Sequence, residues 1–201
     1  THFRKLRDDE NTKCWDDSIW QEMVQLGWSG ILVPEEFGGS DFGIAGISVI
    51  MQELGKTLTP SPILATSVLG VSTINLLGSQ EQKEKYLPKI VSGDVTTALA
   101  IDEGNHHSPL DIEATAILKG DKWSLNGQKV FIIDGASADY ILIVARTSGK
   151  KGESNGLSVF VSEKNSEGLE ISKISTADCR NYSNLKMNNL ILEGNALLGE
   201  V

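Results

Sequence analysis

Three histidines and two cysteines are the residues of this chain best suited to bind metal or act as nucleophiles, and their spacing argues against both roles. His106 and His107 are adjacent, so their side chains leave the backbone in different directions and cannot share one metal with ordinary ligand geometry. His2 lies far from them in sequence. Cys14 and Cys179 are separated by most of the chain and show neither a CxxC nor a zinc spacing, which reads as two unpaired thiols in a reducing, cytoplasmic compartment. Arg180 follows Cys179 in a loop, where it is expected to pair with an acidic neighbour or to reach a ligand of another subunit. Asp134 and Asp139 flank a turn and are expected to cap or solvate it. Trp15, Trp20, Trp28 and Trp123 read as packing residues. No single cluster announces a reaction, so the elements that bring residues together carry more weight.

Those elements have two textures. Up to about Gly93 the apolar period is helical. Asp16 or Asp17 can cap a helix carrying Ile19, Trp20, Met23 and Leu26, with Gly27 as its stop. Ile47, Ile50, Met51 and Leu54 make one apolar stripe of a second helix, with Gly55 near its end. Ile63 to Leu77 is apolar or small nearly all round, as in a helix buried on most sides. Ser79 with Gln82 forms a capping box for a further helix, which Pro88 is expected to restart and Ser92-Gly93 to end. After Asp94 the period becomes two. Short runs recur at Thr96–Ile101, Ala114–Leu118, Trp123–Leu125, Lys129–Ile133, Tyr140–Ala145, Leu157–Val161, Leu169–Ile174 and Leu185–Leu192. Asn126-Gly127 between two of them predicts a hairpin turn, since a type I′ turn needs positive φ at both central residues. Many short strands at this spacing predict a small barrel or sandwich. The expected fold is therefore α+β: a helical domain over residues 1–93, then an all-β barrel domain over residues 94–201.

Bulk properties exclude several classes. The chain has 201 residues, 40% hydrophobic and 22% charged, with 20 glycines and 5 prolines. Its longest apolar runs, such as Tyr140 to Ala145, fall far short of the roughly 20 residues that span a bilayer. Net charge is −9, and both halves are acidic, so nucleic acid is not an expected partner. No basic-then-apolar leader opens the sequence.

Five segments in order resemble the acyl-CoA dehydrogenase family. They are ILVPEEFGGSDFG (residues 31–43), LLGSQEQKEKYLPKIVSGD (76–94), KWSLNGQKVFIIDGASADYILIVART (122–147), GLSVFVSEKNSEGLEIS (156–172) and LKMNNLILEGNALLGE (185–200). The resemblance implies the family's helical N-terminal domain, its first helix reduced to Phe3–Arg7, and its middle β domain. It also implies that a four-helix domain carrying the catalytic glutamate, and the main oligomer contacts, would lie beyond Val201. No catalytic residue is then expected within these 201, and the fragment alone is expected to be inactive. The implied reaction is α,β-dehydrogenation of an acyl-CoA thioester, in fatty acid metabolism. A base takes the α-proton, and the β-hydride needs FAD because no side chain accepts hydride.

By the same resemblance, the flavin would lie against Leu99, Ile101 and Asp102 of one strand end and Phe131, Ile132 and Ile133 of another, with His107 and Ser108 towards the substrate. Here the sequence departs from the family. Ile101, Asp102 and Glu103 stand where Thr-Glu-Pro is usual, Phe131 stands for a tryptophan, and Ile133 for a hydroxyl residue. His106 to Ser108 replace a Gly-Ser-Asp turn. Backbone N–H groups at residues 101–103 need no particular side chain, whereas Ile133 forgoes a hydrogen bond of about 0.5–1.5 kcal/mol. Two other readings stay open: a non-catalytic partner subunit of the same fold, and a flavin oxidase or monooxygenase. The intact protein is expected to form homo- or hetero-oligomers.

Overall fold

The computed structural model describes residue 6, residues 13–178 and residues 180–201. His2, the segment Phe3–Arg7 as a helix, and Cys179 therefore lie outside what can be compared. The chain forms two compact units. One comprises the residues before Thr97 together with Ser175–Asn181; the other comprises Thr97–Ile174 and Tyr182–Val201.

The first unit is helical for the reasons its sequence gives. Helix α1 (Asp17–Gln25) is capped by Asp16, whose carboxylate accepts the Ser18 N–H at 2.8 Å, and it buries Trp20 and Met23. Gly27, at φ +77°, turns the chain away. A short 3-10 turn at Glu35–Phe37 follows Pro34. Helix α2 (Gly43–Thr57) buries Ile47 and half-buries Ile50, Met51 and Leu54, the expected stripe. It runs two residues past Gly55 and stops at Leu58 in the left-handed region.

The apolar stretch splits into a π-helical segment (Ile63–Gly70) and helix α3 (Val71–Leu77). Helix α4 (Gln80–Val91) begins with the complete Ser79/Gln82 capping box. It passes through Pro88 without restarting, contrary to expectation. Pro88 forgoes the bond its N–H would make to residue 84, while its carbonyl still accepts the Ser92 N–H at 3.0 Å. No helix among the described residues is long and apolar enough to cross a membrane.

The second unit is a single mixed sheet of eight strands. They are β1 (Thr97–Ala100), β2 (Thr115–Lys119), β3 (Lys122–Ile133), β4 (Tyr140–Arg146), β5 (Leu157–Glu163), β6 (Leu169–Ile174), β7 (Tyr182–Glu193) and β8 (Leu197–Leu198). Their order is β6-β7-β3-β2-β4-β5-β8, with β1 parallel to β4 in the register Thr97↔Tyr140 to Ala100↔Ile143. One hydrophobic cluster draws on every strand except β6 and β8, whose Leu169, Ile171 and Leu197 pack against it. The strands share this one core as the all-β unit expected from the strand spacing, in a mixed sheet whose end strands β6 and β8 are not paired with each other.

The Asn126-Gly127 turn does not exist. The β2–β3 hairpin turns at Gly120-Asp121, with Lys119 paired to Lys122, and β3 continues unbroken through Asn126-Gly127. The extra residue lies on the facing strand: between Leu125↔Leu190 and Gly127↔Met187, β7 advances three positions while β3 advances two. Asn189 takes φ +51° in this bulge, and its N–H is received by Asn126 Oδ1 at 2.9 Å. Asn126 is thus a bulge acceptor. Gly127 permits a close approach, since a Cβ there would sit 2.7 Å from Ala114 Cα and φ is +137°. Gly127→Ala is expected to cost about 1–3 kcal/mol in urea unfolding; a loss below 0.5 kcal/mol, on the scale of a neutral surface change, would contradict this packing.

A second bulge, on β3 itself, matters more. Lys129 pairs with Leu185 and Ile132 with Ser183, so Val130 and Phe131 together oppose a single residue of β7. Phe131 adopts φ +51°, and its N–H reaches Asn184 Oδ1 at 3.3 Å. The shift resets the alternation. Lys129 and Ile132 both point into the core, and Phe131 is left 56% exposed.

Candidate functional site

Two strand ends meet where the β3 bulge faces the exit of β1. The Val130 N–H donates to the Asp102 carbonyl at 2.8 Å, which fixes residues 101–103 alongside residues 129–131. Beneath them lies Lys129, fully buried. Its ammonium donates to the Ile101 carbonyl at 2.9 Å and to Glu103 Oε1 at 2.7 Å. Glu103 is itself a junction: Oε2 accepts the Glu113 N–H at 2.7 Å, and Oε1 also accepts the Ala114 N–H at 3.0 Å. One carboxylate thereby ties the end of β1 to the approach of β2 and, through Lys129, to β3.

Burial pulls the Lys129 ammonium below its ordinary value of 10.5, and the hydrogen bond and charge of Glu103 only partly restore it. The folded lysine thus releases its proton at a pH where the unfolded chain still holds one. Between the lowered folded value and 10.5 the unfolded state binds more protons, so stability rises with pH through that window. Urea unfolding followed as the pH is raised towards 10.5 should show a positive slope that Lys129→Met lacks. Equal slopes would mean the ammonium is not strained by burial.

The residues between the two ties form a loop held from inside. Asp102 Oδ1 accepts the Ser108 N–H at 3.0 Å, and Asp102 Oδ2 lies 2.9 Å from His107 Nδ1. Nδ1 thus faces the carboxylate, and Nε2 takes no part in this contact. His107 is exposed. The far side of the loop is anchored by Arg146, 6% exposed at the end of β4. Its guanidinium donates to the carbonyls of Ile112 (3.0 Å), Leu110 (3.2 Å), Ser148 (3.4 Å), Glu153 (3.1 Å) and Asn155 (3.0 Å). Between these anchors opens a polar cavity of about 710 Å³, lined among others by Glu103, His106, Ser108, Gln128, Lys151 and Lys186.

The eight residues singled out from sequence fall into three settings. Ile101 and Asp102 lie at the β1 exit, next to the tip of the bulge formed by Phe131. Leu99 and Ile133 are half-buried in their strands, and the Ile132 side chain is committed to the core at 2% exposure, so only its backbone can serve a ligand. His107 and Ser108 belong to the loop, joined to the strand end through the Asp102 carboxylate. That carboxylate is spent on the loop, and Asp102 has its backbone to offer elsewhere. Among the hydrogen bonds of the described residues, none uses the Asp102 N–H.

Some outcomes differ from expectation. Asp134, read as a turn cap or a solvated turn residue, is 4% exposed at φ +57°, and its carbonyl receives the N–H groups of Ser137 and Ala138. Asp139 holds Lys164 at 3.7 Å. Arg180 has its acidic neighbour in Asp178; the two line a groove of the helical unit with Met51, Leu54, Leu58 and Leu64. Trp15, Trp20 and Trp123 are buried. Sequence reasoning passed over Lys129, Glu103 as a junction, and Arg146. For Lys129 a signal was present: Trp123, Leu125, Gly127 and Lys129 share one phase of the alternation, and that phase is the core side.

Comparison with known proteins gives consistent results. Residues 2–94 match the acyl-CoA dehydrogenase N-terminal domain, and residues 98–193 match the acyl-CoA dehydrogenase middle domain. An acyl-CoA dehydrogenase of Bacillus subtilis is 32% identical over 167 residues, covering 82% of this chain and 44% of that protein. A cyclohex-1-ene-1-carbonyl-CoA dehydrogenase of Syntrophus aciditrophicus is 35% identical over 184 residues, covering 88% and 44% respectively. The crystal structure of an acyl-CoA dehydrogenase from Geobacillus kaustophilus superposes with a TM-score of 0.84 at 28% identity, over 99% of this chain and 53% of that one. The chain thus spans about half the length of the proteins it matches.

Proposed function

Because this chain belongs to the acyl-CoA dehydrogenase family, we propose that it is the flavin-holding portion of an enzyme that removes hydrogen from Cα and Cβ of an acyl-CoA thioester. The observation that carries this reading is the paired strand end: an uncommitted Asp102 N–H beside an outward-turned aromatic ring, Phe131, on a backbone fixed by the Val130–Asp102 hydrogen bond. Those groups fit an isoalloxazine ring. The backbone donors at 101–103 suit its pyrimidine edge, and the Phe131 ring suits a flat partner. FAD, when bound, supplies the acceptor for the β-hydride that no side chain can provide.

The chain's own residues then have defined tasks. Ile101 and Ile133 line the seat with apolar surface and keep water from it. The backbone N–H groups of residues 101–103 orient the ring. Ser108 and His107, held by Asp102, form the polar rim on the substrate side, where Nε2 of His107 can hydrogen-bond a thioester's amide tail. The base for the α-proton is assigned to sequence outside these residues, and turnover by the 201 residues alone is expected to be negligible, since a general base typically contributes about 10²- to 10⁴-fold.

The test is direct. FAD titrated into the chain should bind, weakly, with quenching of its fluorescence, and a Phe131→Ala variant should bind several-fold less tightly. A preparation that ignores FAD would end the flavin reading. In that event the second reading, a partner subunit that binds no cofactor itself, would gain. It is favoured by the missing hydroxyls at Ile101 and Ile133. Anaerobic bleaching of the flavin-loaded full-length protein by an acyl-CoA would separate a dehydrogenase from an oxygen-using flavoenzyme.

A further inference from the structure

Lys129 is hard to explain as a source of stability. An ion pair in a protein core seldom contributes more than a well-packed apolar pair of the same volume, because both charges lose their water. Burial does draw this ammonium's proton affinity down, and the neighbouring inward residues of β3 are Trp123, Leu125 and Ile132. A methionine would fill the same channel without the penalty. What a methionine cannot do is donate to the Ile101 carbonyl, which Lys129 Nζ does at 2.9 Å.

That carbonyl belongs to the same peptide unit as the Asp102 N–H. A cation on the oxygen of an amide draws electron density from its nitrogen, so the N–H becomes a stronger donor; hydrogen bonds coupled through one peptide reinforce each other. The position is rigid as well. Glu103 holds the ammonium from the other side at 2.7 Å, and the Glu113 and Ala114 N–H groups hold Glu103. The strengthened N–H is the one that no acceptor among the described residues uses.

On the flavin reading above, we propose that Lys129 is a positioning residue that polarises the Ile101–Asp102 peptide, so that the strand end favours the reduced ring over the oxidised one. A hydride carries two electrons and one proton and leaves the acceptor one charge more negative. Donors aimed at the pyrimidine edge, where that charge spreads, bind the reduced ring better in proportion to their strength. Glu103 moderates the effect by keeping the ammonium's charge partly balanced. The strand end is thereby tuned from below, by a side chain that touches neither ring nor substrate.

The experiment compares affinities for FAD in two oxidation states. Oxidised FAD and dithionite-reduced FAD are titrated anaerobically into the chain, into Lys129→Met, and into Lys129→Met/Glu103→Gln, the last avoiding an unpaired buried carboxylate. The preference for reduced over oxidised FAD should fall about tenfold in both variants, equivalent to about 30 mV for a two-electron couple. A lysine that only holds the fold together would weaken both forms alike, and an unchanged ratio would overturn the proposal. A second readout needs no flavin. The Asp102 amide proton should resonate upfield in Lys129→Met, and an unmoved resonance overturns the polarisation by itself. Failure of the unsubstituted chain to take up FAD in either state rejects the flavin site instead, while the resonance still decides whether the peptide is polarised.

Discussion

Arg146→Ala should cost about 3–4 kcal/mol in urea unfolding. The guanidinium is 6% exposed and donates to five backbone carbonyls, those of Leu110, Ile112, Ser148, Glu153 and Asn155. None of these acceptors is a carboxylate, so the residue acts as a rigid five-donor fork and not as half of an ion pair. Two segments, the approach to β2 and the loop after β4, are joined through it. Truncation removes this donor from all five carbonyls; Leu110 keeps the Gly152 N–H at 2.9 Å, and each of the others that water cannot reach costs about 1–3 kcal/mol. Lysine should restore less than half of the loss, because an ammonium has three donors and no planar fork. A loss below 1 kcal/mol for the alanine variant would show that water replaces the guanidinium freely.

Lys129→Met should be at least as damaging, about 3–5 kcal/mol, for a different reason. The penalty there comes from the partner left behind. The Glu103 side chain is only 11% exposed and would keep its charge with two N–H donors but no cation. Adding Glu103→Gln should therefore recover stability: the double variant is expected to be more stable than Lys129→Met alone by at least about 1 kcal/mol. If the double variant is the less stable of the two, the carboxylate is not strained by the loss of its cation, and the pair is not coupled as the distances imply. Both measurements come from the same denaturant series, with the m-value checking that the transition stays two-state.

Much of the fold was legible because local signals and tertiary structure agree. The Asp16 cap, the Ser79/Gln82 box and the Ile47-to-Leu54 stripe are local, and each appears as read. The errors came where a residue type has two uses. Asn-Gly is the preferred pair for a tight turn, yet here Asn126 receives an N–H from the bulge in β7 and Gly127 admits Ala114. Treating the pair as a turn broke β3 in two and ended the count of alternation before it reached Lys129. With the strand kept whole, a lysine in the phase of Trp123 and Leu125 would have stood out.

The candidate site was legible at the level of segments only. Residues 101–102 and 131 do meet, but the sequence gives no warning that Phe131 is turned outward by a bulge while Ile132 is turned in. Nor can pattern reasoning show that Glu103 and Arg146 bind backbone groups, since such partners leave no mark on composition.

The membership of Ser175–Asn181 in the helical unit also governs how the protein can be made. The ribosome delivers all of the helices early, but the seven residues that finish their unit emerge only after six strands of the sheet. Until then Met51, Leu54, Leu58 and Leu64 form a groove without Asp178 and Arg180 at its side. Maturation of the first half thus waits on synthesis of the second, and a gene cut at Thr96 would encode a bundle with part of its wall missing.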